Sequence, residues 1–85
     1  MSNSTTFTVL YFARVAELTG QRSEQWSLEP DLSVAQWLTQ LIARYPDLAS
    51  AESRLKVAVN QFYVPRTHTI QANDEVAVFE PVTGG

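Results

Sequence analysis

Apolar and polar positions follow two distinct periods along this chain. Phe7-Thr8-Val9-Leu10-Tyr11-Phe12 is β-branched or aromatic at nearly every position, the pattern of a central strand covered on both faces. Ala13 to Leu18 predicts a short helical turn, stopped by Thr19-Gly20. Ser23 to Glu29 alternates, with Trp26 and Leu28 toward a core and Gln25 and Ser27 toward water. That is a second strand, broken by Pro30-Asp31. The period then changes. Val34, Trp37, Leu38, Leu41, Ile42 and Tyr45 recur at i, i+3, i+4, i+7, i+8 and i+11, one stripe of an amphipathic helix. Ser33 is placed to cap it, Gln36 completes a capping box, and Pro46 ends it.

Asp47 to Arg54 reads as a polar connection with room for a helical turn. Leu55 to Asn60 predicts a third strand with Leu55, Val57 and Val59 on one face. Phe62-Tyr63-Val64, ended by Pro65, suits an edge strand. Ala72-Asn73-Asp74 is a turn in which Asn takes the left-handed conformation. Glu75 to Phe79 is the last strand, apolar on both faces. The first and last strands are the most apolar and so belong side by side at the sheet centre. The long stretch between them permits parallel pairing. This order describes an α+β chain of β-grasp architecture, a mixed sheet holding one long amphipathic helix. The expected layout is a polar leader over residues 1–6, a β-grasp domain over 7–81 and a tail over 82–85.

Composition narrows the function. The chain has 85 residues, 45% hydrophobic and 11% aromatic, enough for one domain with a modest core. It has no cysteine, which excludes disulfides, zinc–thiolate sites and a catalytic thiol. A reducing, cytoplasmic setting fits that composition. The net charge is −3, and Arg14, Arg22, Arg44, Arg54, Lys56 and Arg66 are scattered along the sequence. Nucleic acid is therefore not an expected partner, and a basic protein suits an acidic domain better. No apolar run is long enough to span a bilayer, and Met1 to Thr6 lacks the features of a signal peptide.

Ordinary catalytic signatures are missing from the sequence. His68 stands alone between two threonines, with no partner spacing for a metal. Neither a GxGxxG nor a P-loop is present to hold phosphates. Glu75 and Glu80 fall on opposite faces of a strand, Asp74 and Glu75 suit a turn, and both tryptophans suit a core. The remaining chemistry lies in Pro81-Val82-Thr83-Gly84-Gly85. Two glycines carry a high ordering entropy and are a poor way to close a fold. They also describe a frayed end. Without side chains, however, they thread a narrow channel and present an α-carboxylate. A carboxylate is a poor acyl donor until it is activated, for instance as an acyl-adenylate. Since the sequence has no nucleotide-binding loop, another enzyme must use ATP for that step. With no cysteine available, any sulfur carried must sit on Gly85. Val82 to Gly85 reaches roughly 13 Å when extended.

Three segments carry a family resemblance. They are Leu10-Tyr11-Phe12-Ala13-Arg14-Val15-Ala16-Glu17-Leu18-Thr19-Gly20, Val57-Ala58-Val59-Asn60-Gln61, and Asp74-Glu75-Val76-Ala77-Val78-Phe79 continuing through Pro81 to Gly85. In these the chain resembles the small, MoaD-type sulfur carrier subunits of molybdopterin synthase. With the helix between them they cover nearly the whole chain. The resemblance implies a ubiquitin-like β-grasp fold that binds no cofactor and is not an enzyme on its own. It implies that Gly85 is adenylated by an E1-like, MoeB-type enzyme and converted to a thiocarboxylate. The tail, Gly84 included, then enters a MoaE-type large subunit and donates sulfur to cyclic pyranopterin monophosphate, within a heterotetramer of two small and two large subunits. By matched position, Phe12, Tyr63, Phe79 and Val82 contact that partner, with Arg14 at the rim. Glu80 departs from the family pattern, where a proline is common, as does Asn73, where a glycine is.

Other functions share the fold and the diglycine. One is a sulfur carrier for thiazole or cysteine synthesis, another a ubiquitin-like protein modifier, and a third an inert β-grasp interaction module. The FAxxxELxG segment, Phe12 to Gly20, favours the molybdopterin pathway.

Overall fold

The computed structural model describes residues 5–81. One mixed sheet is built from β1 (Thr6–Tyr11), β2 (Ser23–Ser27), β3 (Lys56–Val59), β4 (Phe62–Tyr63) and β5 (Glu75–Phe79). Its spatial order is β2-β1-β5-β3-β4. The first and last strands are central neighbours and run parallel, with Val9 opposite Val76 and Tyr11 opposite Val78. The other pairings are antiparallel. Two helices, α1 (Ala13–Thr19) and α2 (Val34–Arg44), and a 3₁₀ helix (Pro46–Arg54) complete the fold. This is the β-grasp topology expected from the element order.

The core lies on one side of the sheet. Phe7, Val9, Tyr11, Val57, Val59, Val76 and Val78 point into it and meet Val34, Trp37, Leu38 and Leu41 of α2. Trp37 stands edge-on to both Phe7 and Trp26, with ring centroids 6.1 and 5.9 Å apart. Such edge-to-face pairs add about 1 kcal/mol to the burial term. The two central strands are not buried on both faces, as their composition suggested. Along β1, Phe7, Val9 and Tyr11 are buried, while Thr6, Thr8 and Leu10 are half-buried on the other side. In β5, Val76 and Val78 are buried, while Ala77 and Phe79 are half-buried. The helices supply one layer only, so the second face of the sheet stays open.

Local chemistry fixes the element ends. Ser33 Oγ accepts the Gln36 N–H at 3.1 Å, and Gln36 Oε1 accepts the Ser33 N–H at 3.0 Å. The next two free N–H groups of α2, on Val34 and Ala35, donate to the carbonyls of His68 and Arg66, each at 2.9 Å. The 66–70 strand-like strap is thereby tied to the helix start, and His68 contributes its backbone. Gly20 closes α1 at φ 74°, where its N–H reaches the Ala16 carbonyl at 2.9 Å. Asn73 takes φ 67°, the left-handed turn conformation. Asn60 and Gln61, at φ 52° and 75°, make the two-residue link between β3 and β4.

Residues 46–54 differ from the polar connection expected. They form a continuous 3₁₀ helix that buries Leu48 and Ala51. Three residues per turn stack positions i and i+3, which aims those two side chains at the core together. Leu32 and Ile70, beyond the periodic segments, are also buried. The Leu28 N–H donates to the Thr5 carbonyl, and β1 begins at Thr6.

Candidate functional site

The C-terminal end of β5 is where the sequence places its chemistry. This central strand ends at Phe79, and the described chain continues through Glu80 to Pro81. Val82, Gly84 and Gly85 lie outside the described residues. What can be built is the root from which they continue.

Strand register assembles the open face beside that root. Residues directly opposite in neighbouring strands share a face. Leu10 faces Ala77, Ala77 faces Ala58, and Ala58 faces Tyr63, which places all four side chains on the open side. Lys56 and Phe79 form the next row toward the tail. Phe12 extends β1 by one residue, its N–H donating to the Val78 carbonyl at 3.3 Å. The result is a floor of small alanines with aromatic side chains at the tail end. The rings of Tyr63 and Phe79 are 5.8 Å apart and inclined at 52°. Tyr63 is 76% exposed and Phe12 48% exposed, and Phe79 is half-buried. Neither Phe12 nor Phe79 belongs to the buried core, which was the alternative place for a central-strand aromatic.

Two apolar side chains of this region were not singled out from the sequence. Leu10 sits on the open face, and strict alternation from Phe7 would have found it. Phe62 is 75% exposed at the edge, but it pairs with Val59 and therefore points to the helix side. The basic residues are dispersed in sequence but not in space. Arg14 and Arg54 both reach Glu80, at 3.9 and 2.6 Å. Lys56 and Arg66 line an open groove with Tyr63 and Pro81. Basic side chains thus gather around the tail root of a chain that is acidic as a whole.

The densest polar cluster lies elsewhere, around Glu24 of β2. Its Oε1 accepts from Tyr11 Oη at 2.7 Å and Trp26 Nε1 at 3.1 Å. Oε2 accepts from Gln21 Nε2 at 3.2 Å and Tyr45 Oη at 3.0 Å, and pairs with Arg44 Nη2 at 2.9 Å. Burial pushes the Glu24 carboxyl upward, but the hydrogen bonds from Tyr11, Tyr45, Gln21 and Trp26 outweigh it and hold it below the usual glutamate value. Burial, reinforced by the Glu24 hydrogen bond, drives the Tyr11 phenol strongly upward. Perturbed groups of this kind often mark active sites. Here every partner is satisfied within the cluster, and the cluster ties β1, β2 and the end of α2 together. It is a structural knot. His68, half-buried in its loop, joins no such cluster. Among the described residues no group of His, Asp or Glu is arranged to hold a metal ion, and no helix is long and apolar enough to cross a membrane.

Comparison with known proteins adds to this geometry. The ThiS family model matches residues 9–85. The molybdopterin synthase sulfur carrier subunit of Homo sapiens is 39% identical over 80 residues, covering 91% of each chain. Its Escherichia coli (strain K12) counterpart is 40% identical over 80 residues, covering 91% of this chain and 96% of the relative. The crystal structure of H. volcanii small archaeal modifier protein 1 superposes with a TM-score of 0.80. It is 26% identical and covers 92% of this chain and 99% of its own.

Proposed function

The chain belongs to the ThiS family, and from that premise we propose that it is the sulfur carrier subunit of a molybdopterin synthase. The observation that carries the reading is similarity over nearly the full chain to subunits of that name, beside a family match that runs through the diglycine. The tail root supports it. A central strand gives the tail a rigid base, and an apolar face beside it suits a partner that must hold the body while the tail enters.

In the proposed cycle, an E1-like, MoeB-type enzyme joins the Gly85 carboxylate to the α-phosphorus of ATP and releases pyrophosphate. A sulfur nucleophile then attacks the acyl carbon and expels AMP, which leaves a thiocarboxylate. Inside a MoaE-type large subunit that sulfur bonds to cyclic pyranopterin monophosphate, and water then cleaves the acyl C–S bond, which leaves the sulfur on the substrate and returns the Gly85 carboxylate. This chain supplies the carrier and no catalytic group. Its body contributes docking through Phe12, Tyr63 and Phe79, Val82 adds a contact at the start of the tail, and Gly84 keeps the tail narrow inside both active sites. The assembly follows as two small and two large subunits.

Intact mass spectrometry tests the reading. Incubated with ATP, the activating enzyme and a sulfur source, the chain should gain the mass difference between one sulfur and one oxygen. Deletion of Gly85 should abolish that gain and leave the melting temperature unchanged. A truncated chain that still supports molybdopterin formation would refute the tail mechanism.

A second reading has one observation in its favour, the likeness to a small archaeal modifier protein. The same activated tail could acylate a lysine amine. Isopeptide-linked conjugates, rather than a thiocarboxylate, would identify it. The higher identity of the synthase subunits favours the carrier.

A further inference from the structure

Positive charge gathers where β5 ends. Arg14 Nε lies 3.9 Å from Glu80 Oε1, and Arg54 Nε lies 2.6 Å from Glu80 Oε2. Lys56 stands opposite Phe79 and borders, with Arg66 and Pro81, the groove beside the tail. Arg66 is held there by its Nη2, which donates to the carbonyls of Glu52 and Leu55 at 2.9 and 3.3 Å. On the other side of the root, Arg22 borders a shallow groove with Phe12, Ala13 and Glu17. Five of the six basic residues therefore flank one end of the sheet, and the sixth, Arg44, is committed to Glu24. Among the described residues, Glu80 is the one carboxylate within ion-pairing distance of any of the five. Glu17 lines the groove with Arg22, Glu52 stands beside Arg66 and Glu80 lies at the root, so five cations meet three carboxylates here, while the chain as a whole carries a net charge of −3.

We propose that this cationic collar is a docking element for carboxylates. The protein that receives the tail presents Asp or Glu side chains around the mouth of its tail channel. The inference rests on the function proposed above and deepens it by giving the chemistry of the partner's rim. The collar surrounds the aromatic patch of Tyr63, Phe79 and Phe12, so apolar contact lies at the centre and charge at the edge, as in a specific interface. Glu80 holds Arg14 and Arg54 near the root before any partner arrives, which lowers the ordering cost of using them. Lys56 carries its charge on a flexible stem from an exposed strand position. Opposite charges across the rim speed encounter and set orientation, and a basic mouth would be repelled. Glu80 acts here as the collar's internal counterion.

The test measures association of the full-length chain with the large subunit of molybdopterin synthase at low and high sodium chloride, about 0.05 and about 0.5 M. Lys56→Glu should slow association about tenfold at low salt, with the difference shrinking at high salt. Lys56→Gln should fall between that variant and the wild type. Thr39→Glu combined with Ala43→Glu adds the same negative charge on the exposed side of α2, and should stay within about twofold of the wild type because α2 lies across the sheet from Lys56. Association that ignores salt and Lys56→Glu alike would overturn the collar while leaving the carrier function intact. Equal slowing by the α2 variant would also overturn it, because net charge alone would then explain the effect. Faster association of Lys56→Glu would overturn it in another way, since Lys56 would then oppose docking, for example by holding the chain's own tail carboxylate. A wild-type chain that fails to bind at either salt would remove the large subunit as receiver and bring down the function reading itself.

Discussion

The knot around Glu24 and the open face at the tail root share strand β1 and are built in opposite ways. In the knot, Tyr11, Gln21, Trp26, Tyr45 and Arg44 converge on one carboxylate. Arg44 also lies over the rings of Trp26 and Tyr45, 5.4 and 5.7 Å from their centroids. The open face leaves Phe12 and Tyr63 in solvent, and its charged residues point outward around a single counterion. Internal saturation makes a region stabilise the fold and leaves it nothing to offer a partner. The tail root keeps apolar area and charge in reserve. If this contrast is right, substitutions in the knot should change stability and spare docking, and substitutions at the root should do the reverse.

Glu24→Ala should give the largest stability effect. It leaves two tyrosine hydroxyls and an indole N–H without their shared acceptor in a poorly solvated place, and it unpairs Arg44, whose side chain is more than half exposed. Removing the acceptor of such a partly buried charged network costs about 3 kcal/mol, to be read from urea denaturation. Affinity for the large subunit should be unchanged once the variant is folded. The acid response follows from the direction of the Glu24 shift. Its carboxyl in the folded chain titrates below the ordinary value of 4.5. The ionised form therefore contributes stability that is fully present above the unfolded value and is lost as pH falls through the folded one. Denaturation across that acidic range should be steeper for the wild type than for Glu24→Gln. Equal slopes would show that the knot owes little to the charge.

The same contrast separates what the sequence disclosed from what it hid. Helix α2 was legible because its stripe, its capping box and Pro46 are all local signals. The parallel pairing of β1 with β5 was legible because few arrangements suit two such apolar strands so far apart. The open face was misread because Leu10 and Phe79 are apolar, and composition cannot distinguish a side chain covered by a helix from one left for a partner. The knot was invisible for another reason. Glu24 meets Tyr11 and Tyr45 from thirteen and twenty-one positions away, and an isolated glutamate in a strand announces no partner. The collar was hidden in the same way, since Arg14, Arg66 and the Arg54–Lys56 pair come together only where β5 brings Glu80 and Pro81 between them.

Tyr63→Ala tests the reserved face. Its ring is mostly in solvent, so its loss should change stability by less than about 0.5 kcal/mol. An aromatic at the centre of an interface carries about 2 kcal/mol of binding when truncated. Affinity for the large subunit should therefore fall by more than tenfold, measured by calorimetry beside a thermal melt. A drop in melting temperature without loss of affinity would assign Tyr63 to the fold and reverse the contrast at this position.

The smallest effect concerns strain. Among the described residues, five other than glycine have positive φ: Ala13, Asp31, Asn60, Gln61 and Asn73. Asp and Asn tolerate that region because their side chains bond locally. Ala13 has no such support, and its φ of 49° directly follows the exposed Phe12. The left-handed conformation costs a residue with a Cβ about 1–2 kcal/mol. Glycine removes that cost but gives back about 0.4–1 kcal/mol through greater freedom in the unfolded chain. Ala13→Gly should thus stabilise the fold by about 0.5–1 kcal/mol, raising the melting temperature by a few degrees. It should also loosen Phe12 at the tail root, so association with the large subunit should weaken slightly while the fold gains. A variant that gains in both respects would show that the strain at Ala13 belongs to the chain's route from β1 into α1 and plays no part in presenting Phe12.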